Sequence, residues 1–152
     1  MVPTIKMTDD FSFSRLVYGY WRAVDWGHNP GETLDHIKYC IDLGITTFDH
    51  ADIYGDYTCE KIFGDGLKLE PGLRQSMQLV TKCGIKLISP NRPDHKIKTY
   101  DTSYDHIIRS AENSLKELGT DYLDMVLIHR PDPLNNPEET ARAFEQLKKD
   151  GK

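Results

Sequence analysis

The chain has 152 residues, 19 Lys and Arg against 24 Asp and Glu, and a formal charge of −5. At 38% hydrophobic and 28% charged it is too apolar to be disordered, and a domain of this size buries roughly 70% of its unfolded surface, enough for a core. The mild acidity argues against a nucleic-acid surface, which shows a basic stripe, and the longest aliphatic run, MVLI at 125–128, is far too short to span a bilayer.

The N-terminus, MVPTIKMTDDF, has no apolar h-region, so no secretory signal is expected. RLVYGYW (15–21) predicts a strand entering a loop. In the following HNPGETLDHIKYCIDLG, Pro30 suits a first helical turn, Leu34, Ile37 and Ile41 recur at helical spacing, and Gly44 suits a C-terminal cap. ITTFD predicts the second strand. CEKIFGDGLKL reads as a helix despite Gly64 and Gly66, each of which costs about 1 kcal/mol against alanine. SMQLVTKCG predicts the third strand. Residues 85–100 carry two prolines, several charges and no periodicity, which predicts a long loop of the kind that is often functional. TSYDHIIRSAENSLKELG predicts a helix with an Ile107, Ala111, Leu115 and Leu118 stripe ended by Gly119. DYLDMVLIH is the fourth strand. NPEETARAFEQLKKDG is the fourth helix, with Glu138 and Glu139 early and Lys148 and Lys149 late, as the helix dipole favours. Cys40, Cys59 and Cys83 are odd in number and lack C-x-x-C spacing, so free thiols in a reducing, cytoplasmic compartment are expected.

Four strands alternating with four helices predict parallel βα units. A small doubly wound sheet and part of a (β/α)8 barrel both fit. Asp49 ends the second strand, Lys82 the third and His129 the fourth, and parallel strands bring all three to one rim. That rim is where both architectures place their active sites.

The density of ionisable groups in TTFDHADIYG (46–55) raises two chemistries. A metal site would use Asp49, His50, Asp52 and His129. Strand alternation opposes it, because Asp49 and His50 point to opposite faces, and no H-x-H or H-E-x-x-H spacing occurs. His50 and Asp52 are expected in the loop or behind the site. A proton-transfer site would use Asp49, Tyr54, Lys82 and His129. A lysine ammonium favours the phenolate form of a neighbouring tyrosine, a carboxylate holds the lysine charged and aimed, and a histidine can hydrogen-bond a substrate oxygen or relay a proton. Such a set suits protonation of an alkoxide as hydride reaches a carbonyl carbon, with the hydride drawn from a cofactor. Each residue also has a plain structural explanation. Asp49 can cap a turn, Tyr54 can pack, Lys82 can pair for the fold's sake, and His129 can be a satisfied buried imidazole. Trp21 and Trp26 fit either packing or contact with a ligand at the rim.

FDHADIYG resembles the Asp-x-x-x-x-Tyr-Gly signature of the aldo/keto reductases, LVTKCG supplies that family's lysine and LIHRPDP its histidine. LVYGYWR is similar to the family's first loop on the nicotinamide side. The four motifs occur in family order across essentially the whole chain. The resemblance implies a parallel (β/α) barrel of TIM type and NADPH-dependent reduction of aldehydes or ketones. It implies Tyr54 as general acid, Lys82 and Asp49 tuning it, and His129 orienting the carbonyl. It also implies NADPH as cofactor, with Gly19, Tyr20, Trp21 and Asp49 near the nicotinamide. One departure is His50, where the family usually has a small Thr or Ser.

A complete barrel of this type takes about 250 residues, so residues 1–152 are expected to be its N-terminal half, about four βα units, without the C-terminal half. Its first and fourth strands would be open edges, which invite self-association or pairing with a separate C-terminal half. The expected partner is a small-molecule carbonyl substrate, with no nucleic acid and no membrane. The alternatives are a truncated or split, non-enzymatic fragment of such a reductase and, behind it, a metal-dependent barrel hydrolase.

Overall fold

In this computed structural model, which describes residues 1–152, the chain opens with an antiparallel hairpin, β1 (Thr4–Lys6) and β2 (Ser12–Ser14). The sequence reading did not anticipate it, because the hairpin precedes the first βα unit and lies outside the strand–helix alternation which that reading followed. Ser14 fastens the hairpin to the sheet: its Oγ accepts from the backbone N–H of Thr46 and Thr47, and its own N–H donates to Thr47 Oγ1 at 2.9 Å.

The main sheet takes the expected parallel form. β3 (Val17–Gly19) is followed by a short helix, α1 (Ala23–Trp26), and by α2 (Pro30–Asp42). Asn29 and Glu32 close a capping box at the start of α2, satisfying two donors that a helix start leaves free. β4 (Thr47–Asp49), α3 (Cys59–Leu67), a 3-10 turn (Pro71–Ser76) and β5 (Gln78–Cys83) come next. After β5, β6 (Ile85–Lys86) pairs antiparallel with β7 (Thr99–Tyr100). The expected long loop is therefore clamped at its two ends, with residues 87–98 held between them. α4 (Tyr104–Leu118), β8 (Met125–Ile128) and α5 (Pro137–Lys149) complete the chain. The sheet order is β3-β4-β5-β8, all parallel.

Register decides what each face carries. Gly19, Asp49 and Val80 lie side by side, as do Lys82 and Leu127. Since side chains alternate along a strand, Phe48, Leu79, Thr81 and Cys83 turn to the other face, where all four are buried under the helices. The main core joins Tyr20, Ile37, Phe48, Phe63, Leu79 and Leu118, and a second cluster of Cys83, Ile107, Ala111, Ala143 and Leu147 seats α4 and α5. Gly64 and Gly66, which weaken α3 by propensity, explain themselves here. A Cβ on Gly64 would run into the carbonyl of Glu117 at the end of α4, and one on Gly66 would lie 2.7 Å from Thr33 of α2. Their bareness lets α3 wedge between two helices.

The opposite face of the sheet has no helix over it: Val17 is 48% exposed and Leu127 39%. One face covered by helices and one bare face lined by alternate strand residues is the cross-section of half a TIM-type barrel.

Candidate active site

The rim formed by the C-terminal ends of β4, β5 and β8 gathers the four expected residues. Asp49 is the last residue of β4, Lys82 the fifth of β5, and His129 follows β8, its backbone N–H bonding Cys83 O at 2.8 Å. The Lys82 ammonium spends its three donors on Asp49 Oδ1 (2.7 Å), Asp49 Oδ2 (2.8 Å) and the carbonyl of His50 (2.5 Å). Both side chains of this ion pair are mostly shielded, so the pair is fixed more firmly than an exposed one. The same ammonium stands 4.8 Å from the centre of the Tyr54 ring. It contacts the ring face, and none of its three hydrogen bonds goes to the Tyr54 hydroxyl. The rings of Tyr54 and His129 meet edge to face, 5.8 Å apart at 81°.

Tyr54 is aimed by an unusual turn. Its N–H bonds Ala51 O, and its carbonyl accepts from Thr58 and Cys59. The three residues after it, Gly55, Asp56 and Tyr57, all have positive φ, at 56°, 57° and 67°. Left-handed residues other than glycine, here Asp56 and Tyr57, store strain, and the surroundings hold them there. Asn91 Nδ2 donates to Asp56 O, Leu87 N–H donates to Tyr57 Oη, and Thr58 Oγ1 donates to Gly55 O. A Cβ on Gly55 would lie 2.5 Å from Cys59 Sγ, so glycine is required directly after the tyrosine.

His129 is half-buried, and burial, with Lys82 and Arg130 nearby, pushes its pKa below the usual histidine range. It is a neutral imidazole at pH 7, with Nδ1 buried and unpartnered. A cavity of about 570 Å³ opens beside the pair, lined by Trp21, Ile53, Tyr54, Ile85, Leu87, Lys98, Tyr100, His129 and Arg130. Sequence reasoning singled out Trp21, Tyr54 and His129 among these. It missed Lys98, Tyr100 and Arg130, although the position of Arg130 directly after the rim histidine was an available signal.

His50 and Asp52 do not join this group. The His50 ring lies on the helix side of the sheet, 4.7 Å from Phe63 and 5.1 Å from Tyr20 by ring centres, and is fully buried. It belongs to the core rather than to a loop. Asp52 is buried beside Glu60, a residue the sequence reading passed over, and burial raises the pKa of both carboxyls. Glu60 lies one turn before Phe63 and Gly64 on the buried side of α3, so a charge within an apolar stripe was the signal. Asp49, His50, Asp52 and His129 thus do not converge, and no group of three or more His, Cys, Asp or Glu side chains is disposed to hold a metal.

A model described as the aldo/keto reductase family matches residues 15–152. The chain belongs to the aldo/keto reductase family. It is 57% identical over 148 residues to the oxidoreductase YcsN of Bacillus subtilis, a match covering 97% of this chain and 49% of that protein. It is 47% identical over 149 residues to the 6-dehydroglucose reductase of Agrobacterium fabrum, covering 97% of this chain and 50% of that one. Its fold matches the holo form of the aldo-keto reductase AKR11C1 from Bacillus halodurans with a TM-score of 0.81 at 28% identity, over 99% of this chain and 48% of that chain. The chain therefore spans about half the length of the aldo/keto reductases it matches.

The residues that the family resemblance assigns to the nicotinamide end are disposed unequally. Gly19 pairs in register with Asp49 and faces open space. The Trp21 side chain is 67% exposed at the rim. Tyr20 faces the other way: its ring is fully buried among Trp26, Phe48 and Phe63. Only its main chain, bonded from N–H to Asp49 O at 2.9 Å, reaches the rim.

Proposed function

We propose that this chain carries the catalytic residues of an NADPH-dependent reductase of aldehydes and ketones, running in either direction. The observation that carries the reading is the convergence of Asp49, Tyr54, Lys82 and His129 at one rim of a parallel sheet, beside a cavity that reaches Tyr54 and His129. Tyr54 acts as the general acid, delivering its hydroxyl proton to the carbonyl oxygen as that oxygen becomes an alkoxide. The Lys82 ammonium against the ring face stabilises the negative charge left on the phenol. Asp49 holds that ammonium in place through two hydrogen bonds. Neutral His129 donates a hydrogen bond to the carbonyl oxygen and orients it. The open rim at Gly19, the exposed indole of Trp21 and the Asp49 carboxylate fit the nicotinamide end of NADPH, with Tyr20 contributing through its main chain. When bound, the cofactor supplies the hydride.

The same reading takes residues 1–152 as the N-terminal half of a (β/α)8 barrel, acting in the cytoplasm on a small carbonyl compound. A bare sheet face and two unpaired edges, β3 and β8, favour completion by further strands. If that completion never occurs, the chain is the non-enzymatic fragment that the sequence analysis set against the enzyme.

The test is Tyr54→Phe in the protein expressed from its natural gene. Loss of general acid catalysis should lower kcat for carbonyl reduction by about 10²–10⁴. NADPH binding, followed by its fluorescence, should persist. Turnover at the wild-type level in the variant overturns the assignment of Tyr54.

A further inference from the structure

The cavity beside Tyr54 and His129 holds two basic side chains that the fold does not use. Lys98 and Arg130 both line it and both are exposed. Neither takes part in any ion pair. Their neighbours behave differently: Lys82 is bound to Asp49 and Lys86 to Asp101. No Asp or Glu contributes to the lining. The molecule carries five more acidic than basic groups, so a cavity with basic groups alone reverses the sign of the whole. His129 is neutral at pH 7 and adds no third charge. The remaining wall is apolar or aromatic, from Trp21, Ile53, Ile85, Leu87 and Tyr100. A low-dielectric wall with one sign of charge concentrates ligands of the opposite sign.

We propose that Lys98 and Arg130 recognise an anionic group on the substrate, so that the carbonyl compound turned over here carries a carboxylate or a phosphate. The proposal rests on the reading of Tyr54 and His129 as the site of carbonyl reduction. The planar guanidinium of Arg130 offers paired N–H donors to either group, and Lys98 offers a point charge on a long, movable stem. The apolar wall takes the carbon chain between the anion and the carbonyl.

The test compares matched substrates in the protein expressed from its natural gene. One pair is 4-oxobutanoate and its methyl ester; the other is glyceraldehyde 3-phosphate and glyceraldehyde. The ratio of kcat/KM for the charged over the neutral member should be about tenfold or more in at least one pair, as expected for a hydrogen-bonded charge contact. Whichever pair shows it identifies carboxylate or phosphate as the recognised group. That ratio should fall about tenfold in Arg130→Gln and in Lys98→Met, and it should shrink as salt is raised. Ratios near one in both wild-type pairs, or a ratio that neither variant changes, overturn the proposal. A second readout does not depend on turnover. Glutarate or inorganic phosphate should quench the fluorescence of Trp21, which lines the same cavity, and the quenching should weaken in both variants. Quenching that follows Lys98 and Arg130 in a protein that reduces no carbonyl would sustain the anion site and overturn the Tyr54 reading alone. Absence of quenching together with absence of charge preference overturns the anion site alone.

Discussion

The His50 side chain takes no part in the rim beside it; only the residue's carbonyl, which accepts from Lys82, reaches that group. Its ring is fully buried between Tyr20 and Phe63, with neither nitrogen bonded. Burial, with Lys82 nearby, pushes its pKa down to about 3, against about 6.5 in an unfolded chain. As pH falls, the unfolded state takes up the proton first. The stability tied to a neutral His50 is complete above about 6.5 and is lost progressively as pH falls toward 3, amounting to about 2 kcal/mol at pH 5. His50→Leu should therefore lose less stability than wild type between pH 7 and pH 5, measured by urea midpoints at both values. Equal losses in the two proteins would show that the ring finds a proton partner when folded. The comparison must be between variant and wild type at each pH, because Asp52 and Glu60 act in the opposite sense. Burial first of all lifts their pKa values to about 8 and about 7, so the stability from their neutral forms is present at low pH and lost as pH rises through those values. At this scale the sequence was legible where chemistry stood out of context. An aspartate, a lysine and a histidine each ending an apolar strand are conspicuous, and period-2 alternation put His50 on the far face. That His50 becomes core was not legible, because alternation names a face without saying how deeply it is covered.

Among the elements, α3 sets sequence propensity against packing most sharply. Two glycines in nine residues count against a helix, yet α3 forms and makes extensive contacts with both α2 and α4. Gly64→Ala separates the two influences. Propensity alone predicts a gain of about 1 kcal/mol, whereas a new methyl against the Glu117 carbonyl predicts a loss of about 1–3 kcal/mol from overpacking. The expected outcome is the loss, seen as a lower midpoint in thermal or chemical unfolding; a gain would mean that α4 moves aside freely. The elements missed in the sequence share a different cause. β1, β2, β6 and β7 have two or three residues each, too few to repeat the two-residue alternation, and they lie outside the strand–helix alternation of the main sheet. The β1–β2 pairing is local, but where that hairpin docks is fixed by partners distant in sequence, as Ser14 on Thr47 shows. The buried Arg74–Asp124 pair is of the same kind: Arg74 Nη2 meets Asp124 Oδ2 at 2.7 Å, and that same oxygen accepts from Leu79 N–H at 2.8 Å. It ties the approach to β8 onto β5 across 45 residues and onto the 3-10 turn before β5 across 50, distances over which no local pattern speaks.

For the molecule as a whole, the decisive feature is the contrast between its two sides. The helix side is closed, with Phe48, Leu79 and Cys83 buried. The other side leaves Val17 and Leu127 exposed, and β3 and β8 each have a neighbour on one edge only. Alternation of strands and helices made the layers legible, and the polar strand ends made the gathering of Asp49, Lys82 and His129 at one rim legible, while no local pattern shows how far the bare face is covered. An unpaired strand edge with apolar side chains is a template for further pairing. A polypeptide of residues 1–152 alone should therefore form dimers or larger species whose proportion rises with concentration in sedimentation velocity. Leu127→Lys, which sets a charge on the edge strand β8 and on the bare face, should shift that distribution toward monomer. Tyr39→Lys provides the control, since Tyr39 is 64% exposed but lies on α2, on the helix side, and should leave association unchanged. If both substitutions act alike, association runs through general hydrophobic contact rather than through strand edges. If the unsubstituted polypeptide stays monomeric at every concentration, half a sheet is stable with its edges free, and the argument for completion across β3 and β8 fails.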